Sequence, residues 1–232
     1  MMFQNKFYTA VGNFRTDITP DGDVNPIVTV NGRDLMLDPQ EMAVWTVLNW
    51  RLLTAQEVQE FYLALTQGLP MTEYRTLEDC LAQLVTRGLV SCGVGDTACD
   101  ALYDLLAGLY VVPMTKSRAQ RASVFMKMVL LDGVPLGEAW RMLRMPRLKP
   151  EERRVLGLAR QCLLSTAELV WCTELGVTGL RSGEDVMDTL YEDADTTSEN
   201  LPDLMRGAVC RNTVLSAVAN LYLHHMVLFQ RV

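Results

Sequence analysis

Between Leu35 and Met114 three amphipathic segments follow one another, each announced by its own helix-start signal, and two short β-like runs come after them. Asp38-Pro39-Gln40-Glu41 offers a carboxylate that caps free amides, a proline suited to the first helical position and a glutamate placed to reach back to the cap. Thr54-Ala55-Gln56-Glu57 and Thr76-Leu77-Glu78-Asp79 repeat the signal. In the third helix Leu77, Leu81, Leu84 and Val85 share one face, and Gly88 suits a left-handed C-terminal cap. The chain then turns extended at Leu89–Cys92, and Tyr110–Val112 is expected to lie beside that run and close over the three helices. Thr97-Ala98-Cys99-Asp100 opens one more helix between the two runs, ended by Gly108.

Upstream, Thr16–Val24 is rich in Asp, Pro, Gly and Thr and reads as a turn or mobile arm. Ile27–Val30 is extended, Asn31-Gly32 is a tight-hairpin signal and Leu35–Leu37 supplies the returning strand. Downstream the chain reads as helical. Ser117-Arg118-Ala119-Gln120 caps a helix ending at Asp132-Gly133, and Leu136–Leu143 forms a short one. Pro150 to about Leu175 carries a seam of Val155, Ala159, Cys162, Thr166, Leu169 and Thr173, and a last helix repeats it with Leu215, Ala219, Tyr222, Met226 and Phe229. Two long seams imply a bundle, internal or shared with a second copy. No internal repeat of convincing period stands out. The expectation is a mainly α protein with a small β component, divided into residues 1–115 and a helical dimerisation or sensing part, 116–232.

Composition narrows the function classes. The net charge of −7 conceals three regions. Residues 1–115 carry six Lys and Arg against fourteen Asp and Glu, a net of −8; residues 116–160 carry eleven against four, +7; residues 161–232 carry four against ten, −6. Any phosphate contact would concentrate in the middle. The alternative is that these cations pair with the acidic segment Glu184–Asp203. Six cysteines without a C-x-x-C pair read as reduced, mostly buried thiols, and the N-terminal residues lack the apolar core of a secretory signal, so the expected location is cytoplasmic. The longest uncharged stretch, Asn212–Gln230, is interrupted by Asn, His and Gln and reads as a buried helix, not a membrane span.

Catalytic and cofactor signatures are weak. Gly93-Val94-Gly95-Asp96-Thr97-Ala98 fits G-x-G-x-x-A, but no alternating parallel-strand pattern surrounds it and the next extended run lacks the acidic residue a ribose needs. His224 and His225 are adjacent, not four apart, and Cys92 and Cys99 lack local histidines, so no metal is expected. There is no P-loop, nucleophile elbow or H-E-x-x-H helix. A binding role without catalysis or cofactor is the expectation.

The order of hairpin, three helices and extended run resembles winged helix-turn-helix domains. Val-Asn-Gly-Arg-Asp-Leu-Met-Leu-Asp-Pro-Gln-Glu-Met-Ala-Val-Trp from Val30 and Leu-Glu-Asp-Cys-Leu-Ala-Gln-Leu-Val-Thr-Arg-Gly-Leu-Val from Leu77 carry the likeness, over about the first half of the chain. It is similar to response-regulator effector domains and to PqqD-like peptide-binding domains. The first likeness implies a transcriptional regulator whose third helix, Leu77–Arg87, enters the major groove of double-stranded DNA. Arg75, Gln83, Thr86 and Arg87 would then reach bases or phosphates, with Lys116, Arg118 and Arg121 opening the basic stripe, and a homodimer through the C-terminal helices would match a two-fold operator. The second implies a protein or peptide partner at the face around Glu73–Thr86, and the acidity of residues 1–115 suits it.

Overall fold

In the computed structural model the described residues are 5–18, 24–68, 75–114, 147–192 and 195–231. The three expected helices of the first half form as α1 (Pro39–Leu48), α2 (Ala55–Thr66) and α3 (Leu77–Thr86). Asp38 and Thr54 complete reciprocal capping boxes with Glu41 and Glu57, and Thr76 caps Asp79. Around them lie β1 (Asn5–Ala10), β5 (Leu53–Thr54) and β6 (Val90–Gly95), an antiparallel sheet in the order β5-β1-β6. Helix α4 (Ala98–Leu106) packs against β6 and β1.

A second sheet is the meander β2 (Asn13–Ile18), β3 (Val24–Val30) and β4 (Arg33–Met36). Asn31 and Gly32 turn its last hairpin with φ of 48° and 69°, the left-handed pair that a two-residue turn demands. The stretch expected to be an arm is strand at its start: Asn13–Ile18 pairs with β3 along its whole length. Thr16 and Asp17 are exposed on this edge strand, and residues 19–23 of the expected turn lie outside the described residues.

Two expected elements in the second half break. The single seam from Pro150 divides into α5 (Pro150–Gln161), β8 (Leu164–Ser165) and α6 (Thr166–Glu174), because Ser165 and Glu168 form a new capping box. The last helix, α9 (Arg211–Leu223), stops before Met226 and Phe229, which belong to the turn and to β9 (Val227–Gln230). Leu215, Ala219 and Tyr222 on α9 are buried within one chain. Helices α7 (Gly183–Leu190) and α8 (Leu201–Leu204) lie in the acidic segment between α6 and α9. The described residues are therefore mixed α and β, with three small antiparallel sheets. The helices expected from Ser117 and Leu136 lie outside the described residues.

The strand β7 (Tyr110–Pro113) does not lie beside β6. It is the middle strand of the third sheet, in the order β8-β7-β9. The place beside β6 is taken by β1, from upstream of the helices. The dividing line between 115 and 116 thus falls after β7, whose partners lie beyond it, and one apolar core runs from Tyr8 to Phe229 through both parts.

This pairing exposes an internal duplication. Helix α5 follows Leu148-Lys149-Pro150-Glu151-Glu152 as α1 follows Leu37-Asp38-Pro39-Gln40-Glu41, and Leu163-Leu164-Ser165-Thr166-Ala167-Glu168 corresponds to Leu52-Leu53-Thr54-Ala55-Gln56-Glu57. Registers agree: Phe7 and Tyr8 face Thr54 and Leu53 on one side and Gly93 and Cys92 on the other, while Tyr110 and Val111 face Ser165 and Leu164, then Gln230 and Phe229. The ends of α3 and α9 also agree. The amides of Gly88 and Leu89 donate to Val85 and Leu84, those of His225 and Met226 to Tyr222 and Leu221, and Gly88 and His225 share a left-handed φ of 74° and 57°. Even the amides that follow the middle strands match, Val11 donating to Leu89 and Met114 to Met226. The two copies carry no common period, as expected from the sequence, yet correspond element by element. Insertions differ between the copies, with ten residues joining α2 to α3 and thirty-six joining α6 to α9, so no single period survives in the sequence.

Candidate functional site

The residues expected to read DNA are brought together, but around carboxylates of the chain itself. Arg75 pairs with the N-cap Asp38 and hydrogen-bonds the Gln83 side chain. Arg87 donates to the Glu41 carboxylate at 2.6 Å and to the Met36 carbonyl at 2.7 Å. Glu41, only 3% exposed in its side chain, is the hub: it also accepts the Asp38 amide of its capping box and sits 3.7 Å from Arg75. The Thr86 hydroxyl turns back onto the Ala82 carbonyl. The cluster ties the end of β4, the start of α1 and both ends of α3, and balances two guanidiniums with two carboxylates. Lys116, Arg118 and Arg121 lie outside the described residues. In the second copy Glu152, the counterpart of Glu41, accepts from Asn220 at 3.1 Å, and His224 stands where Arg87 stands.

Next to this cluster opens a groove of about 870 Å3. Tyr8 and Cys92 from the sheet form its floor, Leu77, Leu81 and Val85 of α3 one wall, and Ala55, Gln56 and Gln59 of α2 the other. Leu81 and Val85 lie on the face that the sequence periodicity assigned to the core, so α3 uses one stripe both to pack and to line the groove. Lys6, whose ammonium lies 5.2 Å from the centre of the Tyr8 ring, and Glu78 also line it. A hydrogen bond with Tyr8 holds the Lys6 ammonium above its ordinary pKa, and burial pushes the Cys92 thiol up. The groove can therefore offer apolar floor, amide hydrogen bonds and one charge of each sign.

What makes the groove unusual is its counterpart. Helix α6 occupies in the second copy the place of α2, and Thr166–Val170 and Cys172 are buried. The chain covers it: the Thr166 and Ala167 amides donate to Leu109 and Ala107, the Tyr191 hydroxyl to Glu168 at 2.7 Å and the Cys210 thiol to Val170. Helix α2 buries only Val58 and Tyr62, and leaves exposed Ala55, Gln56, Glu57, Gln59 and Phe61, the counterparts of the buried Thr166, Ala167, Glu168, Val170 and Cys172. Sequence reading missed this asymmetry. The signal was the short α2–α3 connection set against the long one after α6.

The other expected motifs resolve structurally. Gly93 and Gly95 line no phosphate cradle; a Cβ on Gly93 would sit 2.2 Å from the Leu105 amide nitrogen, so these glycines let α4 lie against β6. Among the described residues no group of three His, Cys, Asp or Glu is placed to hold a metal, and no helix is long and apolar enough to cross a membrane. All six thiols are unpaired, and burial drives Cys80 to about 11 and Cys172 to about 12. With native protein at pH 8, a thiol reagent should modify exposed Cys99 first and spare Cys80 and Cys172 until denaturant is added. Peptide mapping of the labelled protein checks the order. Comparison with known proteins found no matching family model, no matching curated protein and no matching solved structure.

Proposed function

We propose that the chain is a non-enzymatic regulator built from two winged-helix-like copies, and that it works as a protein- or peptide-binding module through the α2–α3 groove of the first. One observation carries this reading: a helix position that the second copy buries under its own chain is left uncovered by the described residues in the first, beside a groove. Ala55, Gln56 and Gln59 border this groove from exposed positions whose counterparts Thr166, Ala167 and Val170 are buried, and an uncovered groove with apolar lining is the kind of surface that marks a partner site. The engagement of Arg75 and Arg87 with Asp38 and Glu41 argues in the same direction, since a recognition helix needs its cations free for phosphate.

Double-stranded DNA remains the second reading, supported by the net +7 of residues 116–160. The two separate experimentally. Peptides selected from a random library on the intact chain should bind it, and Ala82→Trp, which fills the groove from an exposed α3 position, should weaken them about tenfold with the circular dichroism unchanged. Selected peptides that bind this variant undiminished would move the site elsewhere. Mixed-sequence duplex bound with steep salt dependence, and no peptide selected, would overturn the reading in favour of DNA.

A further inference from the structure

A cavity of about 270 Å3 opens in the second copy beside the start of α5. Arg147, Lys149 and Glu152 line it from one side, and Asn220 and His224 at the end of α9 from the other. Each has a counterpart in the cluster around Glu41. The match of Leu148-Lys149-Pro150 with Leu37-Asp38-Pro39 sets Arg147 against Met36, Lys149 against Asp38 and Glu152 against Glu41. The match of His225 with Gly88 sets Asn220 against Gln83 and His224 against Arg87.

In the first copy this place receives a group from elsewhere in the chain. The Arg75 guanidinium enters from before α3, pairs with Asp38 and hydrogen-bonds Gln83. A cation suits the place, because Asp38 and Glu41 outweigh Arg87. In the second copy the sign is inverted: Arg147 and Lys149 outweigh Glu152. The Glu152 carboxylate is moreover engaged, accepting the Lys149 amide at 2.8 Å and the Asn220 side chain at 3.1 Å. The register that matches α3 with α9 puts Asn212 opposite Arg75, and its side-chain oxygen accepts from Arg211 instead.

The exchange of Asp38 for Lys149 also changes the helix start. Asp38 accepts the Glu41 amide at 2.8 Å, whereas an ammonium has no acceptor to offer, so the Glu152 amide has no cap from the side chain before its helix. Uncapped amides at a helix start add partial positive charge to that of the side chains. Arg153 donates to the Leu148 carbonyl at 3.1 Å and brings a third cation to the same turn. Across the cavity the His224 Nδ1–H donates to the Asn220 carbonyl at 2.8 Å, which leaves Nε2 for a bound group.

We propose that this cavity binds a phosphate group, held by Arg147, Lys149 and the first amides of α5, at the place where the first copy joins the Asp38 carboxylate to the Arg75 guanidinium. A carboxylate alone would replace the charge of Asp38; phosphate also supplies enough acceptor oxygens to engage two cationic side chains and a helix start at once. Its occupation ties α5 to α9 as Arg75 ties α1 to α3.

Inorganic phosphate titrated into the intact chain at constant ionic strength is the test, read by isothermal calorimetry and by the amide signals of 15N-labelled protein. Phosphate should bind in the millimolar range or tighter, and acetate about tenfold weaker. Lys149→Asp, which restores the cap of the first copy, should weaken phosphate by about tenfold while holding or raising the Tm, and Arg147→Gln should weaken it as well. Arg181→Gln, which removes an exposed cation elsewhere, should leave binding unchanged. Glycerol 3-phosphate bound at least as tightly would identify a phosphomonoester as the ligand, and weaker binding the free ion; either supports the assignment. No phosphate binding, binding undiminished in Lys149→Asp, or an equal loss in Arg181→Gln would overturn it.

Discussion

Gly93→Ala is expected to be among the most destabilising single substitutions in the chain, lowering unfolding stability by about 3 kcal/mol. The added methyl would stand 2.2 Å from the Leu105 amide nitrogen, 2.4 Å from the Ala101 carbonyl oxygen and 2.5 Å from the Leu105 Cα. These neighbours are backbone, so no rotamer change relieves the overlap; α4 as a whole must lift from the sheet. Lifting it uncovers Leu105, Leu106 and Tyr103, which are at most 1% exposed. Gly108, two residues past the same helix, has nothing within 4 Å of a built Cβ, and Gly108→Ala should leave stability within about 0.5 kcal/mol of the parent. Urea denaturation followed by circular dichroism compares the two. Equal midpoints for both variants would mean that α4 is not seated on β6 as described.

Glu41→Ala is expected to cost about 3 kcal/mol, for a different reason. The carboxylate is the buried centre of a cluster, and its removal strands Arg87, 28% exposed in its side chain, and takes one counter-charge from Arg75, 21% exposed. Breaking an ion pair from one side leaves an uncompensated charge, which costs more than the pair contributes when whole. The same substitution removes half of the α1 capping box, since Glu41 accepts the Asp38 amide. Adding Arg87→Met to Glu41→Ala should restore part of the loss, because the stranded cation is gone. If the double variant is less stable than the single by the full effect of Arg87→Met, the two residues act independently and the cluster is not the cause.

Helix starts were the most legible part of the chain. Asp38, Thr54, Thr76 and Thr97 each cap the helix expected of them, because capping is local and its signal spans four residues. Strand pairing was not legible. Leu89–Cys92 and Tyr110–Val112 are extended as read, yet each pairs elsewhere, since nothing within a short apolar run specifies a partner tens of residues away. The helix from Pro150 was read through Leu163 and Leu164 because an apolar pair fits a seam as well as it fits a buried strand. Ser165 with Glu168 carried the same start signal as Thr54 with Glu57, and lining up those two stretches would have revealed the duplication.

The candidate site was legible in its residues and not in their use. Arg75 before α3, Gln83 on it and Arg87 at its C-cap do converge, but the charges that meet them come from Asp38 and Glu41, over thirty residues upstream. Among the described residues nothing covers the α2–α3 groove. Only the comparison of the two copies makes that visible.

Placing the earliest strand of each copy at the centre of its sheet also sets the order in which the molecule is made. Tyr8 waits for Leu53, forty-five residues later, and for Cys92, eighty-four residues later, before both of its backbone edges are satisfied. Until then a growing chain presents a bare strand on the ribosome, open to association with neighbouring nascent chains. Folding of the first copy is consequently gated by translation of β6, and a pause placed before that strand should favour aggregation over the native state.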